Sequence, residues 1–143
     1  MIIRRARPDE AHRIFTIWEE AVQATHDFLT PEDRTFFTAI VRDQFLPHAR
    51  PWVAVDADDV PQGFMEVNDG KIDALFVSGH GRGIGSLLVA HAAARNAELR
   101  VDVNEQNAGA VGFYRAMGFV VTGRSELDDA GRPYPLLHMV RVS

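Results

Sequence analysis

Apolar positions change their period several times along the chain, and each change marks an element. Ile2 and Ile3 open a short strand. Pro8, Asp9 and Glu10 then carry the signature of a helix start, with proline and acids in the first turn. Ala11, Ile14, Phe15, Trp18, Ala21 and Val22 follow at the spacing of one helical face. The pattern breaks at "ATHDFLTPED". Thr30 can cap and Pro31 can take the first helical position, so a second helix is predicted over Pro31 to Gln44, using Phe36, Phe37, Ile40 and Val41.

The middle of the chain reads as strands. "PWVAVD" is short and rich in β-branched residues, "ADDVPQG" reads as a turn, and "FMEVN" alternates. Asp69-Gly70 signals a hairpin into "KIDALFV". A glycine loop, "SGHGRGIGS", feeds a helix predicted from about Gly83 to Ala97. "LRVDV" is a further strand. "NEQNAGAVGFYRAMGF" holds a helix that stops near Gly118, and "VVTGRSEL", "DDAG" and "RPYPLLHMVRV" close with a hairpin. The order βαα, βββ, αβαββ predicts an α/β (α+β) fold. It has a mixed, mostly antiparallel sheet of six or seven strands and about four helices. A doubly wound parallel sheet does not fit a long antiparallel meander.

The glycine loop is the strongest local signal. It lacks the Gly-Lys-Ser/Thr of a P-loop, because the chain's one lysine is Lys71. Counted from Gly79, Gly81 or Gly83, the sixth residue is Ile84, Ser86 or Leu88, so the dinucleotide fingerprint fails as well. A glycine turn entering a helix still offers backbone N–H groups and the positive end of the helix dipole to an anion. The plain alternative is a tight strand-to-helix turn that binds nothing.

Composition narrows the classes. The 143 residues suit one domain spanning 1–143, with 46% hydrophobic and 24% charged residues and a formal net charge of −5. The basic residues are 14 arginines and one lysine, scattered, so no nucleic-acid face is expected. No apolar run is long enough to span a bilayer, and "MIIRRARPDEAH" lacks the apolar region of a secretory signal. With no cysteine, thiolate chemistry and disulfides are excluded, and a cytoplasmic location is expected. The six histidines form no metal-binding spacing, so no metal is expected.

About twenty residues past the loop, Asn107, Ala110, Phe113, Tyr114, Gly118 and Phe119 spell N-x-x-A-x-x-F-Y-x-x-x-G-F. Together with "LFV" and "GRGIGSLL", this resembles the GNAT superfamily of N-acetyltransferases over nearly the whole chain. "ATHDFL", "DVNEQN" and "GRPYPLL" look like a small bacterial subgroup of it. The resemblance implies acetyl-CoA as donor, with pyrophosphate on the backbone of Gly81, Gly83, Gly85 and Ser86. The pantetheine arm would bond the main chain of Phe76 and Val77 like an added strand. In the superfamily's R/Q-x-x-G-x-G/A frame His80 stands in the first place. A rival frame puts Arg82 there.

The resemblance also implies the chemistry. Tyr114 is the general-acid candidate for the departing thiolate, since a phenol (pKa about 10) holds its proton at neutral pH. Its plain alternative is packing, the better reading for Phe113. Asp73 is the first choice of base and Glu66 the second. Either reads otherwise as a solvated strand acid. His26 and Phe28 fall where the family shapes its acceptor site. Asn107 is read as a CoA contact, or as a helix cap. His91 is read as core, on the face of Ile84, Leu87 and Leu88. The implied activity is acetyl transfer to a primary amine of a small molecule, protein or peptide, by direct attack in a ternary complex. A second copy of the chain is admitted as a partner. The alternative is a non-catalytic acyl-CoA-binding module on the same fold.

Overall fold

Strand β1 (Ile2–Arg5) leads through a 3-10 turn at Pro8–Glu10 into helix α1 (Ala11–Thr25) in this computed structural model, which describes residues 1–25, 28–45, 50–79 and 82–142. The entry is locked by side chains. Arg4 donates from both terminal nitrogens to Glu10 at 2.8 Å, and Glu10 accepts the Arg7 N–H at 2.7 Å. The bond from Arg4 holds the Glu10 carboxyl below its ordinary range.

Helix α2 (Pro31–Ile40) starts as its sequence predicts, with Thr30 accepting the Asp33 N–H at 3.1 Å. The predicted last turn differs. Val41–Phe45 widens into a π-helical turn, which carries both Val41 and Phe45 onto the core. Strands β2 (Trp52–Val55), β3 (Pro61–Asn68) and β4 (Lys71–Val77) follow. β3 begins inside the stretch read as a turn, because proline is tolerated as the first residue of a strand. Asp69 and Gly70 both have positive φ, 51° and 78°, as the hairpin turn between β3 and β4 requires.

Helix α3 (Ile84–Ala93) is shorter than the predicted Gly83 to Ala97. Asn96 donates from Nδ2 to the Ala92 carbonyl at 3.0 Å and closes the helix early. Its buried residues are Ile84, Leu88, Val89 and Ala92, whereas Leu87 is 38% exposed. The predicted inner face is therefore rotated away from Leu87. His91 is half-buried, not core, with Arg95 Nη1 at 3.3 Å from its Nδ1. Strand β5 (Glu98–Asn104), helix α4 (Ala108–Ala116), strand β6 (Val120–Ser125) and strand β7 (Leu136–Val142) complete the order. Gly118 ends α4 with φ 94°, the predicted stop.

The sheet is open and mixed, with seven strands in the order β1-β2-β3-β4-β5-β7-β6. β4 and β5 run parallel, paired at Lys71–Arg100 and Ile72–Val101. The pairs β1–β2, β2–β3, β5–β7 and β6–β7 are antiparallel. The chain divides into two compact units. The first, residues 1–66 and 74–88, packs Ile14, Ile17, Trp18 and Val22 of α1 on Val53, Val55 and Phe64, with Phe45 and Phe76 against them. Burying each such side chain contributes roughly 1.5–3 kcal/mol. The second, residues 67–73 and 89–143, buries Ile72, Leu99, Val101, Val103, Tyr114, Phe119 and Met139. Its strands alternate: Leu99, Val101 and Val103 are inside, while Glu98, Arg100 and Asp102 lie on the other face.

Candidate active site

In the first unit the glycine loop joins the end of β4 to the start of α3. The chain leaves β4 with the Ser78 N–H donating to the Gln62 carbonyl at 2.7 Å. Gly79 and then Gly83 adopt the left-handed conformation, with φ 74° and 75°. The first bond of the helix runs from the Leu87 N–H to the Gly83 carbonyl at 3.1 Å. The amides of Ile84, Gly85 and Ser86 precede it and have no partner inside the helix. Among the described residues, no heavy atom lies within 4 Å of a Cβ built on Gly83, and Gly83 is exposed. A positive dipole end, adjacent amides and an exposed glycine together fit a phosphate ester.

A network anchors the loop. Arg82 donates to the Ser78 carbonyl at 3.2 Å and to Gln62 Oε1 at 3.4 Å. Gln62 also donates to Asp56 at 2.9 Å and faces Arg13 at 3.3 Å. Gln62 was not among the residues singled out from sequence, because "ADDVPQG" reads as a turn and the strand begins inside it. Gly63 beside it has a different role. A Cβ there would stand 2.7 Å from Ile84 Cγ2 and 3.3 Å from the Phe76 carbonyl, so a side chain would push the loop helix off β3 and β4. Phe76 is held by the core, its ring 5.6 Å from Phe64. Phe76, Val77, Phe28 and Glu66 are half-buried, whereas Arg82, Gly83 and Ser86 are exposed. His26, His80 and Gly81 lie outside the described residues.

In the second unit Asn107 is the cap of α4, accepting the Ala110 N–H at 3.1 Å through Oδ1. The capping alternative is therefore met. Tyr114 is 6% exposed and stacks edge-on against Phe113 and Phe119, with centroids at 5.1 Å and 5.2 Å. Burial pushes its phenol up, so the hydroxyl keeps its proton throughout the physiological range. Asp73 is exposed on β4 and accepts from Asn68 Nδ2 at 2.7 Å. Among the described residues no group of three or more His, Asp or Glu side chains is placed to hold a metal ion, and no helix is long and apolar enough to cross a membrane.

A family model described as an acetyltransferase (GNAT) domain matches residues 16–139. The chain is similar to the peptidyl-lysine N-acetyltransferase YjaB of Escherichia coli (strain K12). They share 51% identity over 142 residues, covering 98% of this chain and 96% of that one. The solution structure of apo-form YjaB from Escherichia coli superposes with a TM-score of 0.93 at 50% identity, covering 100% of this chain and 99% of that one. A PaiA N-acetyltransferase from Thermoplasma acidophilum, solved in complex with coenzyme A, shares the fold with a TM-score of 0.74 at 17% identity. It covers 99% of this chain and 98% of that one.

Proposed function

Because the chain belongs to the GNAT acetyltransferase family and is an N-acetyltransferase, we propose that it moves the acetyl group of acetyl-CoA onto the ε-amine of lysine in a protein or peptide. The donor half of this reading rests on the glycine cradle, with Gly83 left-handed and open to solvent at the start of α3. The acceptor half rests on the peptidyl-lysine activity named for the relative that is half identical. The family match reaches into both compact units, which supports one acetyltransferase domain over the chain. A non-catalytic acyl-CoA module is not retained. The lack of cysteine suits a reducing, cytoplasmic setting.

Each residue takes a role the chemistry needs. The amides of Gly83, Gly85 and Ser86, with Gly81, hold the pyrophosphate, and His80 or Arg82 adds a cation. The main chain of Phe76 and Val77 bonds the pantetheine arm. Asp73, or Glu66 in its place, takes a proton from the lysine ammonium. The free amine attacks the thioester carbon, so the N–C bond forms and the C–S bond breaks. The Tyr114 hydroxyl gives its proton to the leaving thiolate and is restored by the proton that the new amide nitrogen sheds. Asn107, already bound to Ala110, fixes the start of the helix that carries Tyr114. His26 and Phe28 border the acceptor.

The test is direct. Acetyl-CoA should raise the melting temperature, by mass action equivalent to about 2.7 kcal/mol at a hundredfold excess over Kd. Lysine peptides should gain one acetyl group per thiol released. Donor binding without peptide acetylation would overturn the acceptor. No thermal response to millimolar acetyl-CoA would overturn the donor site.

A further inference from the structure

On the second unit's polar sheet face, four strands bring together four side chains that the acetyl-transfer chemistry above does not use. Ser125 at the end of β6 has its Oγ 2.7 Å from His138 Nε2. His138 on β7 has its Nδ1 2.7 Å from Asp102 Oδ1 on β5. The other oxygen of Asp102 pairs with Lys71 Nζ of β4 at 3.0 Å. An ionised carboxylate can only accept, so His138 Nδ1 carries the hydrogen. In the neutral ring Nε2 is then a lone pair, and the Ser125 hydroxyl donates to it. Burial would raise the Asp102 carboxyl, yet hydrogen bonds from His138 and Lys71 outweigh it and keep the group ionised. This is a hydroxyl on a base, with the base oriented by an acid.

The register explains why Ser125 is there. From Val120–Val140 and Val121–Met139, plain pairing would put Thr122 opposite His138 and Arg124 opposite Leu136. Instead Gly123 pairs with His138, and Ser125 with Leu136. The extra residue is Thr122, whose Oγ1 donates to the His138 carbonyl at 3.2 Å. One inserted residue moves the rest of β6 to the other face. The bulge therefore turns Ser125 onto the side of His138 and Asp102. His138 is 37% exposed and Ser125 half-buried, so a small reagent can reach the pair.

We infer that Ser125 is an acyl-accepting nucleophile, with activated acetyl esters and thioesters as its substrate class. Oγ attacks the acyl carbonyl carbon, and the Oγ–C bond forms. The hydroxyl proton passes to His138 Nε2. The bond from carbonyl carbon to the leaving oxygen or sulfur breaks, and the proton follows to the leaving group. The product is O-acetylserine on this chain.

The probe is p-nitrophenyl acetate, which needs no phosphate cradle, so failure of the acetyl-CoA reading leaves this test intact. The protein is incubated with the ester, and acetylation is followed by intact mass and peptide mapping. Hydroxylamine separates the products: it removes an acetyl ester and spares an acetyl amide. With one lysine in the chain, a competing acetyl amide is confined to Lys71 and the N-terminus, and peptide mapping separates Ser125 from any tyrosine ester. The expected label is on Ser125, is lost to hydroxylamine and is absent in Ser125→Ala. His138→Gln should slow it about a hundredfold or more, within the usual range for a general base. If His138→Gln does not fold, Asp102→Asn takes its place, with a slowing of at least about tenfold. An unlabelled Ser125, a hydroxylamine-resistant label alone, or equal rates in wild type and the folded variant would overturn the inference.

Discussion

The loop before α3 and the polar face of β4, β5, β6 and β7 are both chemically equipped, and they are built in opposite ways. The loop is made of consecutive residues. Its geometry comes from backbone: two left-handed glycines, then the first amides of a helix. The polar face is made of side chains far apart in sequence, Lys71, Asp102, Ser125 and His138, joined by strand register. A backbone site tolerates changes to its neighbours' side chains and fails when a Cβ or a strained φ is imposed. A register site tolerates backbone-neutral changes and fails when one hydrogen bond or one residue of register is lost.

The largest expected effect belongs to the proposed acid. Tyr114→Phe keeps the ring between Phe113 and Phe119 and removes the proton. Turnover on a lysine peptide should fall roughly ten- to ten-thousandfold, with acetyl-CoA affinity little changed, as read by single-turnover kinetics and titration. An unchanged chemical step would reduce Tyr114 to packing.

Gly83 probes the backbone site. Gly83→Ala meets no heavy atom of the described residues within 4 Å and carries the left-handed strain, about 1–2 kcal/mol. Gly83→Val adds a branched side chain over the cradle, and acetyl-CoA affinity should drop further than in the alanine variant. Calorimetric titration of both separates strain from blockage. Equal affinities for the two would put the phosphate elsewhere. Gly63→Ala probes the support beneath. Its Cβ has 2.7 Å to Ile84 Cγ2, so overpacking should cost about 1–3 kcal/mol in a denaturant melt.

Removing Thr122 probes the register site. The deletion should abolish Ser125 labelling by p-nitrophenyl acetate, because Ser125 then faces away from His138. Retained labelling in a folded deletion variant would mean that Thr122 does not set the register.

The smallest effect tests a charge pair in neither site. Arg4 lowers the Glu10 carboxyl below its ordinary value. A lowered folded pKa contributes stability that is present above the unfolded value, about 4.3, and is lost as pH falls through the folded one. Glu10→Gln should therefore reduce stability near neutrality and flatten the acid limb of the melting-temperature profile. A profile parallel to wild type would assign the acid limb to other carboxylates, Asp102 among them.

The element order, the Asp69-Gly70 hairpin, the Thr30 and Asn107 caps and the Gly118 stop were legible in sequence, because each depends on residues within a few positions of one another. The resemblance to the family was carried by two spaced motifs together with the order of elements. Ends decided by longer contacts were not legible. α3 stops early on Asn96, Val41–Phe45 opens into a π turn as it meets the core, and β3 reaches back to Pro61. Gln62, Gly63 and the Ser125–His138–Asp102 chain carried no local signal. Asp102 and His138 lie 36 positions apart and meet through β5–β7 pairing. Local sequence sets φ, caps and periodicity, and these determined the elements and the glycine loop. Which polar residues of different strands share a face depends on pairing register, where a single bulge at Thr122 reverses the answer, so only the tertiary structure could decide it.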